Sequence, residues 1–237
     1  MRIGIVCYPT YGGSGVVATE LGLALAKTGH QIHFITYKRP ARLIHFHENV
    51  YFHEVSGADY PLFEYAPYET SLASKMVDVI KYEKLDVLHV HYAIPHAAVA
   101  YMAKQILKSH GIIIPVVTTL HGTDITLVGA DKTFAPVVEF SINNSDGTTA
   151  VSKMLKDETE KTFNIDDPIE VIYNFIDFER FRKVDKDHFR MALAPDGEKV
   201  LIHVSNFRKV KRVEDVIHIF DIVRKQIPCK LMLIGDG

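Results

Sequence analysis

Cysteine is scarce in this chain. Only Cys7 and Cys229 are present, far apart in sequence, so no disulfide framework organises it, and both are read as reduced core thiols. Long apolar runs are missing as well. No stretch approaches the ~18 consecutive apolar residues of a membrane span, and the apolar run within Met1-Arg2-Ile3-Gly4-Ile5-Val6 is too short for a signal peptide. An excess of one charge is also lacking: 27 Lys and Arg face 29 Asp and Glu, for a formal net charge of −2. No global field then draws the chain to nucleic acid or to a membrane surface. Low-complexity tracts and short repeats are absent. A cytoplasmic protein is expected. The 237 residues, 47% of them hydrophobic and 24% charged, allow a sizeable core.

Short apolar runs alternate with helical patterns. Strands are expected over 3–7, 32–36, 87–91, 112–120 and 147–151, with helices over 15–28, 71–81, 97–108 and 137–143. Strands that alternate with helices argue for α/β architecture with a doubly wound parallel sheet of Rossmann type. The rhythm breaks near Asp166-Asp167-Pro168. A short strand over 169–173 and a charged stretch over 179–187 follow. A strand over 199–204, a helix over 213–226 and a strand over 230–234 then restart the pattern. The expected domains are 1–167, Rossmann-like, and 168–237, a linker and the first βαβ of a second such domain. Two parallel strands and one helix cannot cover both faces of a sheet, so the chain is expected to be part of a longer protein.

Gly12-Gly13-Ser14-Gly15 follows the first strand and opens a helix. Unpaired backbone N–H groups and the positive end of the helix dipole suit an anion there, and glycine permits close backbone approach. Gly13-x-Gly15-x-x-Ala18 also satisfies the dinucleotide pattern. That reading wants an acid at the end of the second strand to hold a ribose. The second strand ends Thr36-Tyr37-Lys38-Arg39 instead. Those bases suit a phosphorylated dinucleotide, so an NADP-linked oxidoreductase stays open, as does a tight turn without a ligand.

Thirteen histidines raise the question of metal. His45, His47 and His53 share one polar segment, and His89, His91 and His96 surround a strand end. Neither HExxH nor a Cys/His cluster is present, and a zinc site needs a third ligand and a second shell. They are read as structural or substrate-facing, with no metal ligand among them. His121 is singled out because it follows a buried strand, in Thr118-Thr119-Leu120-His121-Gly122-Thr123-Asp124. Ligands of open α/β sheets sit beyond the carboxyl ends of strands, so Ser14, Tyr92 and His121 could face one crevice. The alternative is that His121 caps a turn and Asp124 begins a helix.

Ser205-Asn206-Phe207-Arg208-Lys209-Val210-Lys211-Arg212 follows the first strand of the second unit. Arg208 and Lys211 fall on one side of a helical turn and can neutralise a diphosphate without a metal. The alternative is a solvated basic face.

Taken together, these residues resemble the retaining glycosyltransferases of the GT-B fold, in the family that includes sucrose and glycogen synthases. The resemblance runs from Cys7-Tyr8-Pro9 and the glycine loop through Ala18-Thr19-Glu20-Leu21-Gly22, His91-Tyr92-Ala93-Ile94-Pro95-His96 and the His121-Gly122-Thr123-Asp124 segment. It continues through Ile172-Tyr173-Asn174-Phe175 to the loop ending at Arg212. It implies transfer of N-acetylglucosamine from UDP-GlcNAc to the hydroxyl of L-malate, with retention, as the first step of bacillithiol biosynthesis. By resemblance, Arg208 and Lys211 hold the diphosphate, with Asn206, Gly13 and Gly15 beside the donor, and His121 faces the donor sugar. Ser14, Tyr92, Thr119 and Asn174 form the implied acceptor set. No cofactor, metal or nucleic acid is implied, and homo-oligomerisation is left open. Members of this family carry a further pair of glutamates for the donor beyond the last residue here, so the chain alone is expected to show little transferase activity.

Overall fold

The computed structural model describes residues 1–57, 67–126, 131–184 and 187–237. Two compact units divide the chain, Met1–Phe175 and Ile176–Gly237.

The first unit is a seven-stranded sheet. Its elements run β1 (Arg2–Val6), α1 (Ser14–Lys27), β2 (Gln31–Thr36), β3 (Val50–Glu54), α2 (Tyr68–Glu83), β4 (Val87–His91) and α3 (Ala98–Ser109). They continue with β5 (Val116–Leu120), α4 (Thr123–Thr126), α5 (Ala135–Asn143), β6 (Gly147–Ala150), α6 (Lys153–Thr162) and β7 (Glu170–Val171). The strand order is β3-β2-β1-β4-β5-β6-β7, and every pairing is parallel. Residues 185 and 186 of the charged stretch lie outside the described residues.

Alternation along the strands sorts side chains to the two faces. Ile3, Ile5, Ile32 and Phe34 meet Ala18 and Ala26 of α1 on one face. Val6, Ile35, Leu88 and Val90 meet Met76 and Ile80 of α2 and Ala100, Ala103 and Leu107 of α3 on the other. Both faces of the central strands are covered, which explains their near-continuous apolar runs. A third cluster, including Leu120, Val138, Ile142 and Ile169, closes the far half of the sheet.

The structure adds elements that the hydrophobic pattern did not signal. β3 is a partly exposed edge strand whose apolar run, Val50-Tyr51-Phe52, is only three residues long and sits in a polar segment. The strand expected over 112–120 begins only at Val116, after Pro115, a residue without an N–H to donate. α6 is strongly polar, and its signal was the cap: Ser152 Oγ accepts the Leu155 N–H at 3.2 Å. The first unit runs to Phe175, past the expected boundary at 167, because β7 pairs with β6.

The second unit comprises α7 (Asp187–Leu193), β8 (Lys199–Val204), α8 (Val213–Arg224) and β9 (Cys229–Ile234), with β8 and β9 paired in parallel. Cys7 is buried, and burial pushes its thiol up to about 12. Cys229 is half-buried rather than a core residue, and both thiols are free. Among the described residues no helix is long and apolar enough to cross a membrane.

Leu88 is fully buried at the centre of the sheet. Leu88→Ala is expected to lower the free energy of unfolding by about 2–5 kcal/mol, measured by urea denaturation.

Candidate active site

The point where the chain changes direction is where open α/β sheets hold their ligands. From β1 the path moves outward to β2 and β3, then returns to the other side of β1 as β4. The connections after β1 and β4 therefore leave the sheet in opposite directions, and ligands of such sheets bind in the gap.

The connection after β1 turns at Gly13, whose φ of +58° lies in the left-handed region that glycine adopts without strain. Gly15 is needed for another reason. A Cβ there would lie 2.3 Å from the Tyr8 carbonyl oxygen, so the loop's own backbone takes the space of a side chain. No side chain caps the N-terminus of α1, which leaves first-turn N–H groups without intrahelical partners. Ser14 is buried, and its Oγ donates to the Tyr92 hydroxyl at 2.8 Å.

Tyr92 opens the connection after β4 at φ +87°, a conformation that costs a non-glycine residue about 1–3 kcal/mol. Its N–H donates to the Thr119 carbonyl at 2.9 Å. The buried Asp124 holds the residues beyond it. Asp124 Oδ2 accepts the Ala93 N–H at 3.0 Å, while Oδ1 accepts those of Gly122 at 3.0 Å and His121 at 3.3 Å. One carboxylate thus ties the connection after β4 to that after β5. Burial raises its pKa above the ordinary carboxylate value, and the N–H donors pull it back down. Asp124 lies in the first turn of α4, one residue after its start at Thr123, and its carboxylate acts as a clamp between two loops.

His121 Nε2 lies 2.8 Å from Nδ1 of His91. His91 is buried and stacks on both His89 and His121, with centroids 4.6 and 5.1 Å away. Its Nε2 has no hydrogen-bond partner among the described residues. A buried bare acceptor is less costly than a buried unpaired N–H. The favoured tautomer therefore carries its proton on His91 Nδ1 and donates it to His121, leaving the His121 proton on Nδ1. His96 Nδ1 donates to the His91 carbonyl at 2.6 Å. Burial pushes His89, His96 and His121 down to about 4, and His91 well below its ordinary value. All four are neutral at pH 7.

Ser14, Tyr92 and His121 come together as expected; the Tyr92 and His121 rings are 5.2 Å apart. Thr119 meets Tyr92 only through its backbone carbonyl, and neither its hydroxyl nor Asn174 is hydrogen-bonded to these three side chains among the described residues. The Thr119 hydroxyl is engaged within the sheet, by His89 Nε2 at 2.7 Å and Thr149 Oγ1 at 2.8 Å. Asn174 is exposed and follows β7, three strands from β4 in the sheet order. His91 and Asp124 were missed as site residues because their partners lie about thirty residues away in sequence.

In the second unit, the loop after β8 carries Asn206 and Arg208 into a 3-10 turn over Lys209–Lys211. The Lys211 N–H donates to the Arg208 carbonyl at 2.8 Å. Arg208, in extended conformation, caps this turn and Lys211 ends it. Arg212 is ion-paired with Asp215. Arg208 and Lys211 are exposed and have no ion-pair partner among the described residues. Lys209 is likewise exposed and without an ion-pair partner among the described residues, so three cations are available for an anion while Arg212 is neutralised.

Solved structures with the same fold define the class. A sucrose-phosphate synthase from Thermosynechococcus elongatus superimposes with a TM-score of 0.77 at 16% identity, covering 99% of this chain and 62% of that one. The Anabaena protein HepE, solved in complex with UDP-glucose, gives 0.77 at 18% identity, covering 100% of this chain and 61% of that one. The architecture is α/β of the GT-B glycosyltransferase type. The sequence model of Glycosyltransferase Family 4 matches residues 11–180, and the chain belongs to that family. Among curated relatives, the N-acetyl-alpha-D-glucosaminyl L-malate synthase of Bacillus anthracis is 50% identical over 238 residues, which is 100% of this chain and 62% of that protein. An uncharacterized glycosyltransferase of Methanocaldococcus jannaschii is 28% identical over 160 residues, 68% of this chain and 39% of that protein. The chain therefore spans less than two thirds of these relatives' length. Membership in a glycosyltransferase family sets aside the oxidoreductase alternative.

The neutral histidines set a pH dependence. In an unfolded chain they titrate near ~6.5, whereas the folded imidazoles refuse protons until about 4. The unfolded state binds more protons in that window, so stability falls as pH drops through it. The melting temperature is expected to be lower at about pH 5 than at about pH 7.5, with a shallower dependence in His91→Gln. Equal slopes in the two proteins would remove His91 as a source of the effect.

Proposed function

We propose that the protein transfers N-acetylglucosamine from UDP-GlcNAc to the hydroxyl of L-malate with retention at the anomeric carbon, the first step of bacillithiol biosynthesis. The observation that carries this reading is the 50% identity, over all of this chain, to a relative named for that synthase. The paired Ser14 and Tyr92 hydroxyls at the strand carboxyl ends support a polar acceptor. Unpaired Arg208 and Lys211 support an anionic leaving group.

In this reading the bond from the anomeric carbon to the β-phosphate oxygen breaks as the bond to the malate oxygen forms on the same face of the sugar. The malate hydroxyl proton passes to the departing phosphate. Charge develops on that phosphate, and Arg208 and Lys211 stabilise it by several kcal/mol; a metal is not needed for this step. His121, neutral and with Nδ1–H as its donor, faces the donor sugar. Gly13, Gly15 and Asn206 line the donor phosphates. Ser14 and Tyr92 orient the acceptor. Thr119 acts through the sheet, and Asn174 joins the acceptor set only when its loop reaches that ligand.

UDP release by the full gene product is expected with UDP-GlcNAc and L-malate, and to exceed that with other hydroxy acids or sugars. Preference for another acceptor would sink the malate assignment. Lys211→Ala is expected to lower kcat by about 10²–10³, the magnitude for loss of one transition-state donor, with no change in melting temperature because the side chain is exposed.

Tyr92→Phe is expected to raise KM for malate, leave KM for UDP-GlcNAc nearly unchanged and reduce stability by about 0.5–1.5 kcal/mol, since Ser14 loses its partner. Paired acceptor and donor titrations of the variant check it.

A further inference from the structure

A second histidine cluster lies on the α2-covered face of the sheet, and the chemistry described above does not use it. β2 and β3 pair with His33 opposite Tyr51 and Ile35 opposite His53. His33 and His53 are therefore diagonal neighbours on one face, within reach of each other. Glu83, the last residue of α2, brings a carboxylate to the same place. One donor atom from each of the three residues lies within 4.8 Å of the other two.

The two imidazoles are closer still. His33 Nδ1 and His53 Nε2 are 3.0 Å apart. Zinc–nitrogen bonds of ~2.0–2.1 Å in tetrahedral geometry place two ligand nitrogens about 3.3 Å apart, so a small opening of this contact admits an ion in place of the shared proton. The Glu83 side chain is flexible enough to close the remaining distance. Two histidines and one glutamate form a three-ligand zinc set that leaves a fourth position for water.

Two features preorganise the pair. His33 is 1% exposed and stacks on Tyr51, with centroids 4.8 Å apart and an interplanar angle of 19°. Its Nε2 has no partner among the described residues, so a metal held by Nδ1 leaves the ring proton on a buried nitrogen without an acceptor, a cost that the metal–ligand bonds must exceed. Burial pushes His33 down to about 4 and lowers His53, which keeps both in the neutral form that metals bind. Arg2 and Lys75 oppose a bound cation while Glu83 favours one. Arg2 is exposed and screened by water, whereas Glu83 supplies a direct ligand.

We infer that His33, His53 and Glu83 form a site for a divalent transition-metal ion of the zinc type, separate from the crevice at the strand carboxyl ends. This site escapes a sequence reading because its ligands come from three elements. The polar segment with His45 and His47 supplies only His53.

The test titrates Zn²⁺ into the purified chain by calorimetry and Co²⁺ by visible absorption, beginning from chelator-treated protein. One Zn²⁺ per chain and the absorption bands of tetrahedral Co²⁺ are expected. His53→Ala and Glu83→Gln are each expected to weaken binding by about tenfold or more, whereas His45→Ala leaves it unchanged. Metal-free thermal unfolding verifies that the variants fold; Glu83→Gln, at a helix end, keeps the test decisive where His53→Ala disturbs the edge strand. Absence of binding, or binding that both ligand variants retain, overturns the inference.

Discussion

The Asp124 carboxylate accepts backbone N–H groups from two different connections, Ala93 after β4 and the His121-Gly122 pair after β5. Tyr92 and His121 flank those groups, so the spacing of their side chains depends on this one buried acid. An aspartate buried without such donors would be expensive. Here the N–H groups of two loops satisfy it and gain a partner in return. The positive φ of Tyr92 fits the same logic: a strained residue persists only where surrounding contacts over-determine it.

Around that clamp the crevice is built from neutral groups. His89, His91 and His121 stack in sequence, and burial keeps them uncharged at pH 7. Their role in positioning rests on hydrogen bonds and ring contacts. The His91–His121 bond fixes which His121 nitrogen carries the proton, because a neutral imidazole donates from one nitrogen only. Exposed formal charges stand instead on the second unit, in the loop that holds Arg208 and Lys211. A cation at a solvent-facing turn keeps its charge without a burial penalty.

Histidine therefore does two different jobs in the first unit. At the strand carboxyl ends it sets the shape and proton pattern of a crevice. At the β2–β3 edge the same side chain meets a carboxylate and converges with a second imidazole. The chemistry that separates these clusters is the nearby acid: Asp124 spends its oxygens on backbone N–H groups, whereas Glu83 presents its carboxylate to the imidazoles.

Local chemistry made much of the molecule legible from residues alone. Apolar periodicity marked β1, β2, β4 and most helices, Gly13 marked a turn needing positive φ, and the run from Arg208 to Arg212 marked a cationic turn. Each depends on neighbours within a few positions, which a sequence displays directly. β3 and α6 were not legible, since a three-residue apolar run at a partly exposed edge and a polar helix are both weak signals. The site itself was decided by tertiary structure. Ser14 meets Tyr92 across 78 positions, and His91 meets His121 across 30. Whether the Thr119 hydroxyl reaches the crevice or is spent inside the sheet was settled by the register of β4, β5 and β6. Such contacts follow from strand order and register, which the packing of the whole sheet selects and no local pattern encodes.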